Sequence, residues 1–310
     1  MKRHREQSQA LPQAFLDRLT AQFGQAGMLR VVAGCRAKRM RTLRVNTLRT
    51  NDEDVMEVLR HEQIQFERVK EIPHAFIIKN RTSKELLAHP LCTSGKVYLQ
   101  GLASMIPPLL FDAEEIGGKT VLDLCAAPGS KTTQLAALTN NMAEIIACEE
   151  NAIRFAKLKH TVDMQGARVD VRHTDATLFH HEMPQTFDAV LADVPCSAEG
   201  RIDTSDPRTY KFWSQKNITE HAKLQRRLLR SAVGCLKPGG TIVYSTCTLA
   251  KEENQEMIGW LLNEFPRLQA VPITLPFPNV IKTANKTLTL LPTDRMEGFF
   301  VAKLKKSSNA

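Results

Sequence analysis

The sequence predicts an α/β protein in which a mostly parallel, doubly wound sheet follows a small α+β unit. A chain of 310 residues with 43% apolar content is long enough to bury a large core and to form about two units. From residue 96 onward, predicted strands alternate with predicted helices, which is typical of parallel strands joined by crossover helices. Before that point the two element types are mixed without this alternation. We therefore predict a small N-terminal domain at residues 1–95 and a larger domain at residues 96–310.

The elements of the first unit follow from apolar spacing and from helix-capping signals. Two segments repeat apolar residues at helical spacing, and two short runs are rich in β-branched or aromatic residues. The predicted helices are PQAFLDRLTAQF (12–23) and TNDEDVMEVLRHE (50–62), and the predicted strands are TLRVNT (42–47) and HAFIIK (74–79).

The second unit begins after LQGLASMIPPLLF (99–111) and contains six predicted strands and four predicted helices. The strands are TVLDLC (120–125), EIIACE (144–149), RVDVRH (168–173), FDAVLADV (187–194), GTIVYSTC (240–247) and EGFFVAKLK (297–305). The helices are TTQLAALT (132–139), AIRFAKLKHTV (152–162), TEHAKLQRRLLRSAVGCL (219–236) and NQEMIGWLLNEF (254–265). The Pro-rich VPITLPFPNV (271–280) reads as an extended surface loop. In such a sheet, ligands bind beyond the carboxyl ends of the strands.

The first strand of the second unit and the turn after it indicate the ligand. The strand runs to Asp123, and a turn of small residues through Gly129 lets the backbone approach a ligand closely. A phosphate loop would need Gly-Lys-Ser/Thr in succession, whereas here Ser130 separates Gly129 from Lys131, and the G-x-G-x-x-G pattern of dinucleotide sites is absent. Glu149 ends the next strand, where a carboxylate can accept both hydroxyls of a ribose. A ribose without a pyrophosphate fits S-adenosyl-L-methionine.

Two further acids follow later strands. Asp175 can accept a hydrogen bond from an adenine amino group, although a helix N-cap would explain it nearly as well. Asp193 would lie over the point where the strand order reverses, beside both the methyl donor and the group that is methylated.

The charge distribution favours a polyanionic partner. The net charge is +9, and two stretches, Arg30–Arg49 and Arg208–Arg230, carry much of the excess. The first has seven cations and no acid: Arg30, Arg36, Lys38, Arg39, Arg41, Arg44 and Arg49. Either stretch alone is as consistent with a solvated face. The two together fit RNA, because backbone phosphates supply most nucleic-acid affinity, and we expect the first stretch to hold phosphates.

Composition also bounds the location of the protein and its use of metals. No apolar run approaches the roughly 18 residues of a membrane span, and MKRHREQSQA (1–10) lacks the apolar core of a signal peptide. Seven cysteines without a secretory signal indicate reduced thiols, so we expect a cytoplasmic protein. We also expect a monomer. We expect no metal, because His173, His180 and His181 lack partners at zinc-ligand spacing.

Three motifs, DLCAAPGSKT (123–132), DVPCS (193–197) and YSTCT (244–248), closely resemble those of the Sun/Nop family of RNA cytosine-5 methyltransferases. The resemblance extends over most of the chain and includes RVNT, LQGLASM, LQRRLLRSA, LKPGGTIVYSTC and EGFFVAKLK. It implies a class I, Rossmann-like methyltransferase fold that uses S-adenosyl-L-methionine, preceded by a small RNA-recognition-like domain.

Carried over by position, the resemblance implies a role for each motif residue. The nucleophile falls on Cys247 and the second cysteine on Cys196. The cofactor would contact Cys125, Ala126, Ala127, Pro128, Gly129, Ser130 and Lys131, together with Glu149, Asp175 and Asp193. Lys131 is also expected near the reacting groups, where a cation could favour the thiolate form of either cysteine.

Cytosine chemistry explains a requirement for two thiols. Carbon 5 of the ring is too poor a nucleophile to take a methyl group until a thiolate, assigned to Cys247, adds to carbon 6. Asp193 can hydrogen-bond ring nitrogen 3 or the exocyclic amine and stabilise the developing charge. Cys196, as a thiolate, can then act as the base for the carbon-5 proton or assist product release.

Two other functions stay open at this point. A DNA cytosine-5 methyltransferase would use the Pro-Cys thiol of Cys196 as its nucleophile and would not need Cys247. A catalytically idle RNA-binding relative could act in assembly. The sequence ends soon after GFFVAKLK, without the C-terminal RNA-binding domain of larger relatives, so both tRNA and ribosomal RNA remain candidate substrates, with a small preference for tRNA. Phe212 and Trp213 are either packing residues or a platform for a base, and we expect packing for Trp213.

Overall fold

The computed structural model describes residues 11–308, which contain eleven α-helices and thirteen strands. The helices are α1 (Gln13–Arg36), α2 (Asp52–His61), α3 (Ser83–Ala88), α4 (Pro90–Thr93), α5 (Leu102–Leu109), α6 (Ala113–Ile116), α7 (Ser130–Leu138), α8 (Ala152–Gln165), α9 (Phe179–Glu182), α10 (Gln215–Cys235) and α11 (Gln255–Glu264). The strands are β1 (Arg41–Val45), β2 (Phe66–Arg68), β3 (Ala75–Ile78), β4 (Val97–Leu99), β5 (Thr120–Asp123), β6 (Glu144–Glu149), β7 (Val169–His173), β8 (Phe187–Asp193), β9 (Leu236–Thr246), β10 (Leu268–Val271), β11 (Val280–Thr283), β12 (Thr287–Leu290) and β13 (Phe299–Lys306).

The N-terminal domain is built on a four-stranded antiparallel sheet of order β2-β3-β1-β4. Both predicted helices and both predicted strands of this unit are present. Helix α2 begins after Asn51, whose side chain accepts a hydrogen bond from the Asp54 amide, as an N-cap should. Helix α1 is longer than predicted and is interrupted at Gly24, whose positive φ of 69° breaks the helical path. Strand β4 pairs with β1, so this sheet continues past residue 95.

The larger sheet has nine strands in the order β11-β12-β13-β9-β8-β5-β6-β7, with β10 pairing against β13. Strands β7, β6, β5, β8 and β9 are parallel. The chain places β6 on one side of β5 and β8 on the other, which creates the switch point at which such sheets bind ligands. The predicted class I architecture is confirmed. The antiparallel extension that β10, β11 and β12 add to β13 was not predicted, because these strands are short and surround the Pro-rich loop.

Apolar side chains are buried on both faces of the parallel strands, as a sheet covered by helices requires. Leu122 and Val190 pack in one cluster with α10 and α11. Val121 and Leu191, their neighbours along the same strands, pack in the cluster on the opposite face. The strand ends are therefore rigidly held, and the polar residues that follow them form the rim of a crevice.

Arg44 connects the two domains from inside the protein. Its side chain lies on β1 and is only 3% exposed. Its Nε donates to Gln100 Oε1 at 2.9 Å, and its Nη2 donates to Thr133 Oγ1 on α7 at 3.1 Å. Burial lowers the pKa of this guanidinium to about 10. The expectation that Arg44 holds RNA phosphates is therefore wrong, because its donors are used within the protein.

Arg39 is a second cation of the predicted RNA-binding segment that serves an internal role. Its Nη2 donates to the carbonyl oxygens of Gly200 and Ile202, each at 3.0 Å. These carbonyls belong to the segment that follows Cys196.

The exposed cations of the basic segment are Arg30, Arg36, Lys38 and Arg49. The expectation of phosphate contacts is restricted to these four residues and the half-buried Arg41.

Among residues 11–308, no helix combines the length and apolar character needed to cross a bilayer. The predicted absence of a signal peptide rests on residues 1–10, which lie outside the described part of the chain.

Replacing Arg44 with Ala should lower the free energy of unfolding by about 2–4 kcal/mol, because Gln100 and Thr133 would lose a buried donor and a cavity would remain. Urea denaturation measures this change. Lys38→Ala, at an exposed position of the same basic segment, is the matched control and should change the stability by no more than about 0.5 kcal/mol. Equal effects of the two substitutions would contradict the structural role of Arg44.

Candidate active site

The two motif cysteines meet at the carboxyl ends of neighbouring parallel strands. Strand β8 ends at Asp193, which is paired in register with Ser245 near the end of β9. The loops that follow these strands place Cys196 Sγ 3.4 Å from Cys247 Sγ. Both side chains are partly exposed, so both sulfurs can be reached from the crevice.

The Cys196 thiol is affected by burial and by its contact with Cys247. The pKa of Cys196 is raised well above its ordinary value, first by its hydrogen bond to Cys247 and then by burial. Cys196 therefore keeps its proton in the free protein, and either thiol can donate in the contact between the two sulfurs. The sequence-based expectation of a Cys196 thiolate concerns the step after methyl transfer and stays a prediction.

Arg201 is a cation of this site that the sequence analysis did not assign to the thiols. Its Nε lies 3.3 Å from Glu297 Oε2. The pKa of Arg201 is raised, mainly by Glu297, against the opposing effect of burial, with further contributions from Cys247 and Cys196. A guanidinium that interacts with both sulfurs stabilises negative charge on the pair.

Lys131 binds Asp193 rather than a cysteine. Its Nζ lies 2.6 Å from Asp193 Oδ2 and donates to Ser104 Oγ at 2.8 Å. The Ser245 hydroxyl donates to Asp193 Oδ1 at 2.6 Å, so both carboxylate oxygens have a partner. Lys131 is 8% exposed; burial has the largest single effect and lowers its pKa, but Asp193, Glu297 and Asp123 together raise it by more, so the net pKa is raised. We expected Lys131 to favour a cysteine thiolate, but its ammonium group forms an ion pair with Asp193 instead.

The loop between β5 and α7 forms the wall opposite the cysteines. Gly129 has a φ of 103°, and a Cβ there would lie 3.1 Å from side-chain atoms of Leu158 and Thr161, so the turn requires glycine. Ser130 begins α7 directly after this turn. The Ala126 amide donates to the Cys148 carbonyl at 2.9 Å and anchors the loop on β6.

Glu149 ends β6 with its carboxylate almost fully buried. Its Oε1 accepts the Asn151 amide at 2.9 Å, and its Oε2 lies 3.4 Å from Arg154 Nη2. The same Arg154 nitrogen donates to the Ala127 carbonyl at 2.9 Å, so this side chain spans the groove between the loop and the acid. Arg154 was not identified as a site residue from the sequence.

Asp175 lies farther along the same groove. Its Oδ1 accepts the Thr177 amide at 2.8 Å in a local turn, but Asp175 is not the helix N-cap considered from the sequence, because α9 begins after Leu178. Its Oδ2 lies 4.0 Å from Arg227 Nη2. The side chain is partly exposed and lines a pocket together with Cys125 and Glu149, so this turn does not exclude a ligand contact.

One open cavity of about 710 Å³ brings most of the predicted residues together. Those that line it are Cys125, Ala127, Pro128, Ser130, Lys131, Asp193, Cys196 and Cys247, while Glu149 and Asp175 line the adjoining pocket. Ala126 and Gly129 shape the loop without lining either space. The volume lies within the range for small-molecule sites. A buried acid at a strand end, a close-approach turn and a half-exposed carboxylate fit the ribose, the methionine part and the adenine of S-adenosyl-L-methionine, respectively.

The cavity also has lining residues that sequence reasoning missed. They include Tyr98, Gln100, Ser104, Arg154, Lys157, Glu297 and Phe299. Gln100 and Ser104 belong to LQGLASM, and Glu297 and Phe299 belong to EGFFVAKLK; both were noted as family strings without a role. For Tyr98, Arg154 and Lys157, no local pattern signals that folding brings them to the crevice.

Two other features noted in the sequence are located by the structure. In residues 11–308, no three His, Cys, Asp or Glu side chains are arranged to hold a metal. Trp213 is partly buried, with its ring 5.7 Å from that of Phe15 and its Nε1 donating to Glu199 Oε1 at 2.7 Å. The packing role expected for Trp213 is confirmed, whereas the neighbouring Phe212 ring is exposed.

Comparison with known families and proteins places this site in context. Residues 112–305 match the model of the 16S rRNA methyltransferase RsmB/F family, and residues 11–84 match the ferredoxin-like domain of RsmF/B-like methyltransferases. The chain is 37% identical over 313 residues to ribosomal RNA small subunit methyltransferase F of Cronobacter sakazakii, covering 97% of this chain and 64% of that protein. With the protein of the same name from Pectobacterium atrosepticum, the identity is 35%, over 97% of this chain and 63% of the relative. The chain thus spans less than two thirds of the length of these relatives.

Solved structures with a similar fold agree with the family match. A methyltransferase homolog protein from Pyrococcus horikoshii superposes with a TM-score of 0.82 at 29% identity, covering 95% of both chains. NSun6 from the same organism, solved with SFG, gives a TM-score of 0.84 at 21% identity over 96% of this chain and 99% of that one, which is a likeness of fold. From the family match over residues 112–305, together with the motifs and the crevice they form, we conclude that the chain belongs to the RsmB/F family of methyltransferases.

Proposed function

We propose that the protein is an RNA (cytosine-5)-methyltransferase that uses S-adenosyl-L-methionine and forms a covalent adduct between Cys247 and carbon 6 of the target cytosine. The observation that carries the proposal is the pair of thiols 3.4 Å apart, at a cavity that also holds the Lys131–Asp193 ion pair. A core cysteine pair would need neither solvent access nor charged neighbours.

S-adenosyl-L-methionine, when bound, supplies an electrophilic methyl group. Glu149 would hold its ribose hydroxyls, and Asp175 would accept from its adenine amine. The segment Cys125–Lys131 would contact the remainder through the turn at Gly129. Arg154 Nη2 lies 3.4 Å from Glu149 Oε2. A ribose bound at Glu149 would therefore share the carboxylate with Arg154 or displace the Arg154 side chain.

Cys247 is the better nucleophile of the two thiols. Arg201 interacts with both sulfurs through its charge but forms a hydrogen bond with Cys247 only, so it favours negative charge at Cys247 Sγ. Addition of this thiolate to carbon 6 moves the ring electrons toward carbon 5 and the ring nitrogen. The Lys131–Asp193 pair lies beside this position and can stabilise the charge that develops on the ring.

Cys196 fits the later proton transfer. Once carbon 5 carries the methyl group, its proton must leave, and the electron pair of that bond re-forms the ring double bond and expels the Cys247 thiolate. Cys196 holds a proton in the free protein and must release it to water before it can accept another. The open cavity permits this exchange, and the adduct weakens the hydrogen bond that keeps Cys196 protonated.

The raised pKa of Cys196 disfavours the DNA-type alternative, in which Cys196 would attack the base. A thiol with a strongly raised pKa is a poor nucleophile at neutral pH. The catalytically idle alternative has no specific support from the site, since the thiol pair and the ion pair are both intact.

We further propose ribosomal RNA of the small subunit as the substrate, because the relatives of known name carry that designation. The small preference for tRNA finds no support in these names.

An exposed surface for RNA follows Cys196: Arg201 lines the cavity, Phe212 is 77% exposed, and Lys211 Nζ lies 4.6 Å from the centre of the Phe212 ring. A cation beside an exposed ring suits a stacked base and its phosphate. The cytoplasmic location and the monomeric state stay predictions.

Incubation with S-adenosyl-L-methionine labelled in the methyl group tests the proposal. Label should enter small-subunit ribosomal RNA as 5-methylcytosine. Transfer to DNA alone would favour the DNA alternative, and no transfer to any of ribosomal RNA, tRNA or DNA, with RNA still bound, would favour an assembly role. Transfer to tRNA alone would favour tRNA over ribosomal RNA as the substrate.

Cys247→Ala should reduce methyl transfer by about 10⁴-fold or more, because the covalent step loses its nucleophile. Binding of S-adenosyl-L-methionine, measured by calorimetry, should change by less than about twofold, since the sulfur is not needed to hold the cofactor. The control is Cys92→Ala, which removes a buried thiol of the N-terminal domain. Transfer by Cys247→Ala at the rate of the unmodified protein would overturn the assignment.

Cys196→Ala should form the adduct but release it slowly, because the base for the carbon-5 proton is missing. A protein–RNA band that resists denaturation should accumulate on gels in the presence of S-adenosyl-L-methionine. The double variant Cys196→Ala/Cys247→Ala should give no such band. Full turnover by Cys196→Ala without any band would show that Cys196 is dispensable.

Phe212→Ala should raise the KM for RNA by about 5- to 100-fold, the equivalent of the roughly 1–3 kcal/mol that a stacked base contributes. Steady-state kinetics with small-subunit RNA measures it, and kcat should change less than KM. Met142→Ala is a suitable control, since Met142 is 62% exposed and precedes β6 at the amino ends of the parallel strands, opposite the cavity. Equal KM values for the two variants would exclude Phe212 from the RNA-binding surface.

A further inference from the structure

The two cysteine loops are joined by a second pair of side chains directly behind the thiols. Ser197 follows Cys196, and Thr248 follows Cys247. The Ser197 and Thr248 hydroxyl oxygens lie 2.8 Å apart, in the same pairing as the sulfurs. The loops therefore touch at two consecutive positions, and the outer contact is the thiol pair that the proposed reaction uses.

A buried carboxylate lies behind this second pair. Glu253, in the turn before α11, is 0% exposed. Its Oε2 accepts the Ser197 amide at 3.0 Å and Gln225 Nε2 at 2.7 Å, and its Oε1 accepts the Ser197 hydroxyl in a short hydrogen bond. Every one of these donors belongs to the Cys196 side of the site or to α10.

The surroundings tie Glu253 to all the elements that carry the thiols. Gln225 Nε2 also donates to the Pro195 carbonyl at 2.9 Å, which holds the residue before Cys196. The Tyr244 hydroxyl on β9 donates to the Glu253 carbonyl at 2.6 Å. The loop after β8 is thus fastened, through one side chain, to the strand that leads to Cys247.

Burial of the Glu253 carboxylate costs free energy, which argues that this side chain has a function. No ion pair to Glu253 is present in the described part of the chain, residues 11–308. Burial raises the pKa of Glu253, while the donors from Ser197 and Gln225 act against that rise. A buried carboxylate held only by neutral donors costs more than an amide or an apolar group would. Packing of the loop alone would not require it.

From these contacts we infer that Glu253 is a positioning residue: it holds the Cys196 loop against the Cys247 loop and so keeps the two thiols at hydrogen-bonding distance. It touches neither substrate nor sulfur and acts through Ser197. Its loss should leave Cys247 able to attack but should displace Cys196, so release of the adduct slows more than its formation. This consequence for catalysis rests on the covalent mechanism proposed above, whereas the effect on the free thiols does not.

The first measurement therefore uses the free protein, without RNA. Glu253→Gln replaces an acceptor by an amide that cannot accept from all three donors, so the Cys196 loop loosens. Alkylation by iodoacetamide, mapped by mass spectrometry, should be about tenfold faster at Cys196, because a loosened thiol is more exposed and loses the hydrogen bond that keeps it protonated. The rate at Cys247 should rise less than the rate at Cys196, because the Glu253 carboxylate does not hold the loop that carries Cys247.

Two further variants keep this test decisive. Ser197→Ala removes one hydroxyl donor and leaves the carboxylate in place, so it should show the same selectivity for Cys196 even if Glu253→Gln folds poorly. Glu252→Gln changes the neighbouring carboxylate, whose partner is Arg18 at 2.7 Å, and should leave the ratio of the two alkylation rates unchanged. An unchanged ratio in both Glu253→Gln and Ser197→Ala would overturn the inference.

The second measurement adds RNA and labelled S-adenosyl-L-methionine. Glu253→Gln should accumulate the denaturation-resistant adduct, as Cys196→Ala should, with formation of the band slowed less than its decay. If neither variant forms an adduct while alkylation at Cys196 is still selectively faster, the covalent mechanism fails and the positioning role stands. If Cys196→Ala accumulates adduct and Glu253→Gln turns over normally, the positioning role fails and the mechanism stands.

Discussion

The site depends on the parallel pairing of β8 with β9. This register places Asp193 opposite Ser245, so that the Ser245 hydroxyl binds the carboxylate and the loops beyond both strands leave the sheet side by side. A shift of one residue would turn Asp193 to the other face of the sheet and separate the thiols. Because both faces of these strands are covered by apolar packing, the register is fixed by the core and not by the site. The core therefore positions Asp193 and Ser245 at the strand ends, whereas the loop after Cys196 depends on polar contacts such as those of Glu253 and Arg39.

Electrostatic contacts give chemically similar groups of the site different roles. Lys131 neutralises Asp193, so the carboxylate can lie in the crevice without repelling a thiolate nearby. Arg201 faces the sulfurs, and Glu297 restrains it. The hydrogen bond of Arg201 with Cys247 alone gives the two thiols different surroundings. Each of these contacts joins residues that are far apart in sequence, which is why the complete arrangement exists only in the folded chain.

The sequence predicted the fold and the composition of the crevice better than the contacts within it. Alternation of strands and helices is a local signal, and it located β5, β6, β8 and β9 and hence the acids and cysteines that follow them. The family resemblance and S-adenosyl-L-methionine as cofactor are confirmed by the family match. Partner choice was not predictable, because Lys131 could reach either a sulfur or Asp193 until the folded geometry decided. The burial of Arg44 was missed for a related reason, since charge counts do not show which cations point inward.

The donation from Arg39 to the carbonyl oxygens of Gly200 and Ile202 has a consequence for the modularity of this chain. The small domain supplies donors to the backbone of the segment after Cys196, so it is a structural component of the candidate active site and not only an appended unit. A larger domain produced in isolation would leave those oxygens to water. Chimaeras that exchange the small domain would therefore have to preserve this guanidinium, or the segment after Cys196 would lose an anchor.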